Sequence, residues 1–174
     1  MRQVRAKYIE AFTHCLAQRQ AKGEDAQCEI RFELDGPKRH ELYRILVIDA
    51  IQKHPDGAIA VIAFNTSPIV AAHPGLPIAS PIAWQAVTFR CSPCGFPEPA
   101  LLAWGNRWIH DEAPLGPRDG LTGIIHSVSQ PELQDGLLEF TVDFGTAPFE
   151  AFEELTAFFE GHVESVITYR EGEG

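Results

Sequence analysis

The chain is predicted to be an α+β protein: a mixed sheet built from two strand-helix-strand units, an N-terminal amphipathic helix and a long proline-rich loop. Three observations predict this class. Apolar residues recur at helical spacings near the start, alternate with period two in several short runs, and fall twice into a strand, turn, helix, strand order. At 174 residues and 45% hydrophobic content the chain is long enough to bury a core as a single domain over 1–174.

Taken in order, Val4, Tyr8, Ile9, Phe12, Cys15 and Leu16 share one helical face, so residues 3–21 form a helix that ends near Gly23. Cys28, Ile30, Phe32 and Leu34 alternate with Glu29, Arg31 and Glu33, the period of a half-buried strand whose apolar face meets the core. Asp35-Gly36-Pro37 supplies a turn. Residues 40–54 follow as a helix apolar on most sides, stopped by His54-Pro55-Asp56-Gly57. Residues 58–64, apolar on both faces, read as a central strand.

Residues 65–83 then form an apolar connection punctuated by Pro68, Pro74, Pro77 and Pro81, and no Lys, Arg, Asp or Glu lies between Asp56 and Arg90. The prolines interrupt this run well short of the ~20 apolar residues that a membrane span needs. Residues 84–91 read as a strand with Val87, Phe89 and Cys91 on one face, and residues 99–112 as a helix with the stripe Leu101, Trp104, Trp108. Residues 121–129 and 137–144 pair as strands, with Leu138, Phe140, Val142 and Phe144 facing inward. Thr146 caps and Pro148 opens a helix over 148–160, and a last strand covers 163–169. The stretches 27–64 and 136–170 share one layout, which suggests two ferredoxin-like halves.

The net charge of −10 is unevenly placed. Residues 130–174 hold eleven acids and one base, whereas residues 1–129 hold thirteen of each. The first helix leans basic, so the chain is bipolar and lacks the basic footprint of a nucleic-acid binder. Four cysteines are too few for a disulfide scaffold, and the charged start has no apolar signal region, so the expected location is the cytoplasm or a particle assembled there.

Candidate chemistry is sparse. Cys91 and Cys94 form the only C-x-x-C pair. Structural zinc needs a second ligand pair, which the sequence lacks, so no metal is expected. A thiol-disulfide enzyme would place these cysteines at a helix N-terminus, where the dipole stabilises a thiolate. Here Pro97 and Pro99 keep the helix from starting before Glu98. The strand-to-helix turn Asp143–Pro148 is followed by Glu150, Glu153 and Glu154, which would repel a phosphate, and no nucleotide or other cofactor motif occurs. His110-Asp111-Glu112 points in three directions along a helix end, and His40, His54, His73, His126 and His162 are scattered.

These readings favour a non-enzymatic protein-protein interaction subunit of a larger assembly. The layout from Trp84 to Phe144 is compatible with ring-forming subunits of phage tails or secretion devices. Its contact residues would be Pro68, Ile69, Val70, Pro74, Leu76, Pro77 and Ile78 in the connection. Glu150, Glu153 and Glu154 would meet a basic terminal helix of another copy, head to tail. Two alternatives belong to other classes: an acidic inhibitor or immunity-type protein covering a basic partner such as a nuclease, and a small thiol-disulfide enzyme using Cys91 and Cys94.

Overall fold

The computed structural model describes residues 1–36, 40–62, 66–74, 76–79, 81–110 and 121–159, and the backbone of 166–169. Asp111, Glu112, His162 and the acidic C-terminal end lie outside the described residues. The class is α+β, with an N-terminal helix, two further helices and two sheets in which every described pairing is antiparallel.

Helix α1 (Arg2–Ala21) buries Val4, Tyr8 and Phe12, one residue per turn along a single stripe. Gly23, at φ +71°, turns the chain into strand β1 (Asp25–Glu33). From here the structure departs from expectation. Only Glu41–Arg44 is helical, as a single 3-10 turn, and the rest of the expected helix is strand β2 (Ile45–Lys53). A run apolar on both faces suits a buried strand as well as a helix. Ile45, Val47, Ile48 and Ile51 are β-branched, and β1 offers a partner over its whole length. His54-Pro55-Asp56-Gly57 therefore closes a hairpin rather than a helix. Gly57 sits at φ +87°, and the His54 N–H donates to the Ala58 carbonyl at 2.9 Å.

Strand β3 (Ile59–Val61) is a three-residue edge with all three residues exposed, so the expected central strand over 58–64 is a short edge strand. The described part of the stretch 27–64 is thus a meander ordered β1-β2-β3 with one 3-10 turn, and it does not share the layout of 136–170.

The second sheet carries the ferredoxin-like element. Strand β4 (Val87–Cys91), helix α2 (Glu98–Ile109), strands β5 (Ser127–Val128), β6 (Glu132–Gln134) and β7 (Leu137–Asp143), helix α3 (Phe149–Ala157) and strand β8 (Val166–Tyr169) follow in sequence. The spatial order is β5-β7-β4-β8, with β6 a short hairpin arm on β7. Because β7 and β8 both run antiparallel to β4, they are parallel to each other with β4 between them, a split β-α-β unit. Apart from the β6 arm, the elements β4, α2, β5, β7, α3 and β8 make one β-α-β-β-α-β unit.

The core lies between this sheet and helices α2 and α3. Trp84, Phe89, Trp104, Phe140, Phe144 and Phe152 are buried there in mutual ring contact. Each large side chain so buried contributes about 1.5–3 kcal/mol. The indole N–H groups are satisfied: Trp84 donates to the Gly145 carbonyl and Trp104 to that of Ala151, both at 3.0 Å. The two sheets meet where the Val47 N–H of β2 donates to the His126 carbonyl, just before β5, at 2.8 Å. Among the described residues no helix is long and apolar enough to cross a membrane.

Candidate functional site

At the junction of the two sheets four elements converge on His126, which is fully buried. The imidazole Nε2 lies 3.2 Å from Glu29 Oε1. Its Nδ1 lies 3.1 Å from Asp49 Oδ1 and 4.0 Å from Asp143 Oδ1. Tyr8 on α1 donates its hydroxyl to Asp49, and Thr146 donates its own to Glu29. The Thr122 N–H holds the other Glu29 oxygen at 3.0 Å, and the Gly145 N–H holds Asp143 at 2.9 Å. The ring lies against Gly145, where a Cβ would overlap ring atoms Cδ2 and Nε2.

This arrangement follows from strand register. Glu29 and Asp49 sit between the paired positions Cys28↔Ala50 and Ile30↔Ile48, directly opposite each other on the face of the meander turned toward α1. His126, just before β5, and Asp143, the last residue of β7, lie side by side at the other sheet, where the His126 N–H donates to the Asp143 carbonyl at 2.8 Å. Glu29 reaches His126 from a left-handed backbone, φ +53°, rare for a non-glycine residue and costly by about 1–3 kcal/mol.

The electrostatics are those of one cation shared among carboxylates. Burial works against the charge on His126, but hydrogen bonds to Asp49 and Glu29 and the charges of Asp143 and Asp49 outweigh it and raise its pKa to about 10. Glu29 is held below its ordinary value, against desolvation, by His126, Thr122 and Thr146. Asp143 is pushed up to about 7 by burial, with the charge of Asp49 adding to the rise and that of His126 opposing it. Burial and the same carboxylates push the Tyr8 hydroxyl far up. Asp49 and Asp143 keep part of their side chains open to solvent, whereas His126 and Glu29 have none. The cluster therefore stores charge at the seam between the sheets, and the imidazolium of His126 within it does not face solvent. Among the described residues no three His, Cys, Asp or Glu side chains are grouped to hold a metal ion.

The cluster was not legible in the sequence. His126 counted as one scattered histidine, and Glu29 as the polar half of an alternation. Thr146, expected as a helix cap, makes no cap hydrogen bond and serves Glu29 instead.

The residues singled out by sequence fall elsewhere. Leu76 is buried, Ile69 and Ile78 pack against the core, and Ile69 pairs with Ile82 in an antiparallel bridge. The connection thus folds largely over its own domain, leaving Pro74 and Pro77 exposed, Pro68 half-buried and Val70 85% exposed. Ile69, Val70 and Pro74 join Arg2, Phe149 and Glu153 around a groove of about 890 Å³. The Arg2–Glu153 ion pair (2.9 Å) lies in its wall, with the Arg2 guanidinium 4.1 Å from the centre of the Phe149 ring. Glu154 accepts from Arg107 and from the Trp108 indole. Two of the three acids expected to face a partner are thus paired within the chain, and Glu150 is half-buried.

Cys91 points into the core and burial pushes its thiol up to about 11, opposite to an activated thiolate, while Cys94 is exposed. Alkylation of the folded protein at pH 8 is expected to modify Cys28 and Cys94 and to spare Cys91 until unfolding. Rapid modification of Cys91 would contradict its placement.

The chain matches no protein-family model, no curated protein and no solved structure.

Proposed function

We propose that the protein is a non-enzymatic, cytoplasmic assembly subunit that associates with a second copy of itself through the outer face of the β1–β2 sheet. One observation carries this reading. The alternating residues Cys28, Ile30, Phe32 and Leu34, expected to face the core, lie on the opposite side of the meander from α1, together with Leu46 and Ile48 of β2. Phe32 is 39% and Leu34 50% exposed, Cys28 is exposed, and the other three are half-buried. Buried apolar residues on both faces of β2 and an open apolar face on β1 describe a sheet with one side still to be covered.

The occupant follows from charge. Two copies at net −10 repel each other over most of their surfaces, and the paired strand positions of this face, Ala26, Cys28, Ile30 and Phe32 opposite Gln52, Ala50, Ile48 and Leu46, include no ionisable group other than a thiol. A basic partner would be met by carboxylates, whereas an uncharged apolar face is complementary to itself, as a two-fold contact requires. Head-to-tail contact through the terminal helices is disfavoured, because Arg2 and Glu153 already pair within one chain.

Two strands of nine residues extend about 30 Å, and with side chains the face covers about 450 Å² at ordinary strand spacing. That is below the ~800 Å² per partner of a standard interface, so the dimer belongs to the weak, concentration-dependent class. Sedimentation velocity across protein concentration is expected to show monomer passing into dimer, with salt strengthening the association by screening the like charges. Phe32→Asp is expected to weaken it roughly tenfold or more. A wild type that stays monomeric at the highest concentrations, or a Phe32→Asp variant that dimerises equally well, would sink the proposal; capture of an unlike partner by this face would replace the second copy.

A further inference from the structure

β1 is an edge strand of nine residues. Among the described residues its outer side pairs with no other strand. Such an edge, with an apolar alternating face beside it, is a template for open-ended strand addition. Its ladder to β2 is broken at one place, since pairing runs from Asp25↔Lys53 to Cys28↔Ala50 and resumes at Ile30↔Ile48. The residue at the break is Glu29, at φ +53°, and its carboxylate is fixed from three sides by His126, Thr146 and Thr122.

We propose that the left-handed backbone at Glu29 is a built-in guard on the β1 edge: it breaks the extended backbone that a further strand would need, so that association stops at the face-to-face pair. A left-handed residue in mid-strand redirects the N–H and carbonyl groups around it. An incoming strand then finds two short segments, Asp25–Cys28 and Ile30–Glu33, instead of one continuous row. The groups around the clasp on Glu29 are Tyr8 of α1, Asp49 of β2, Thr122 and His126 ahead of β5, Asp143 at the end of β7 and Thr146 just after it.

Two substitutions at one position separate backbone from charge. Glu29→Val and Glu29→Gly both remove the carboxylate, but glycine keeps the left-handed backbone at no steric cost, whereas a β-branched residue strongly prefers the extended one. Both are made in the Phe32→Asp background, so that the face-to-face contact is absent and the edge is tested independently of the function proposed above. Light scattering and thioflavin fluorescence are followed over time at fixed concentration, with circular dichroism checking the fold. Glu29→Val is expected to form large, growing species, with scattered intensity rising roughly tenfold or more, while Glu29→Gly stays at the size of its parent. If both variants grow, loss of the carboxylate alone is responsible; if neither grows, the edge needs no guard. Either result overturns the proposal.

Discussion

Replacing Gly145 by alanine is expected to be among the most damaging single changes in this chain, lowering stability by roughly 3–5 kcal/mol or preventing folding. Two independent causes act at one atom. Gly145 has φ +46°, a conformation that L residues adopt at a cost, and a Cβ there would overlap the His126 ring. The ring has nowhere to go, because Glu29 and Asp49 bracket it from two sides and its own backbone is tied on both sides, to Asp143 and Val47. Denaturant unfolding of Gly145→Ala measures the effect. A change below 1 kcal/mol would mean that the ring is not seated as described.

The second large effect is expected at His126 itself. His126→Gln removes the cation and leaves Glu29 and Asp49 buried or partly buried with like charge, at a cost of about 3–5 kcal/mol. The double change His126→Gln with Glu29→Gln is expected to recover part of that loss, because the uncompensated carboxylate goes too.

The pH dependence has a definite sign. His126 is raised from its ordinary 6.5 to about 10, so its contribution is complete below pH 6.5 and is lost as pH rises toward 10. Asp143 is raised from 3.8 to about 7, so its protonated form favours the folded state and that contribution is lost between pH 3.8 and 7. Glu29 is lowered from 4.5 and acts oppositely, its contribution being present above pH 4.5 and lost as pH falls below that. Unfolding free energy measured from pH 7 to 10 should therefore fall, with a slope approaching 1.4 kcal/mol per pH unit, about one proton. His126→Gln should flatten that slope. A wild type equally stable at pH 7 and pH 10 would contradict the shared imidazolium.

Much of the fold was legible where local pattern and tertiary context agree. The α1 stripe, the α2 stripe of Leu101, Trp104 and Trp108, and the inward set Phe140, Val142 and Phe144 all appear where periodicity placed them. The β2 strand was not, because the unbroken apolar run Ile45–Ile48 has no period of its own and its partner decides its form. The open face of β1 was read correctly as an alternation and wrongly as a core face: period two shows which residues share a side, not which side is covered. The His126 cluster was out of reach for a different reason. Its members lie 97 residues apart between Glu29 and His126, and 117 between Glu29 and Thr146, so register and sheet junction create a site that no spacing announces. The Glu29 backbone is likewise a product of tertiary contact, since nothing in residues 25–33 calls for a left-handed residue at mid-strand.

The chain carries its own reporter for the proposed contact. Cys28 lies exposed on the outer face of β1, and Cys94 lies exposed on the turn after β4. Alkylation of the two thiols, followed by mass spectrometry as protein concentration is raised, compares the face with an internal control in one sample. If the β1–β2 face is where two copies meet, Cys28 slows in proportion to the dimer fraction while Cys94 keeps its rate. If both rates stay constant while the protein dimerises, or both slow together, the copies do not meet at this face.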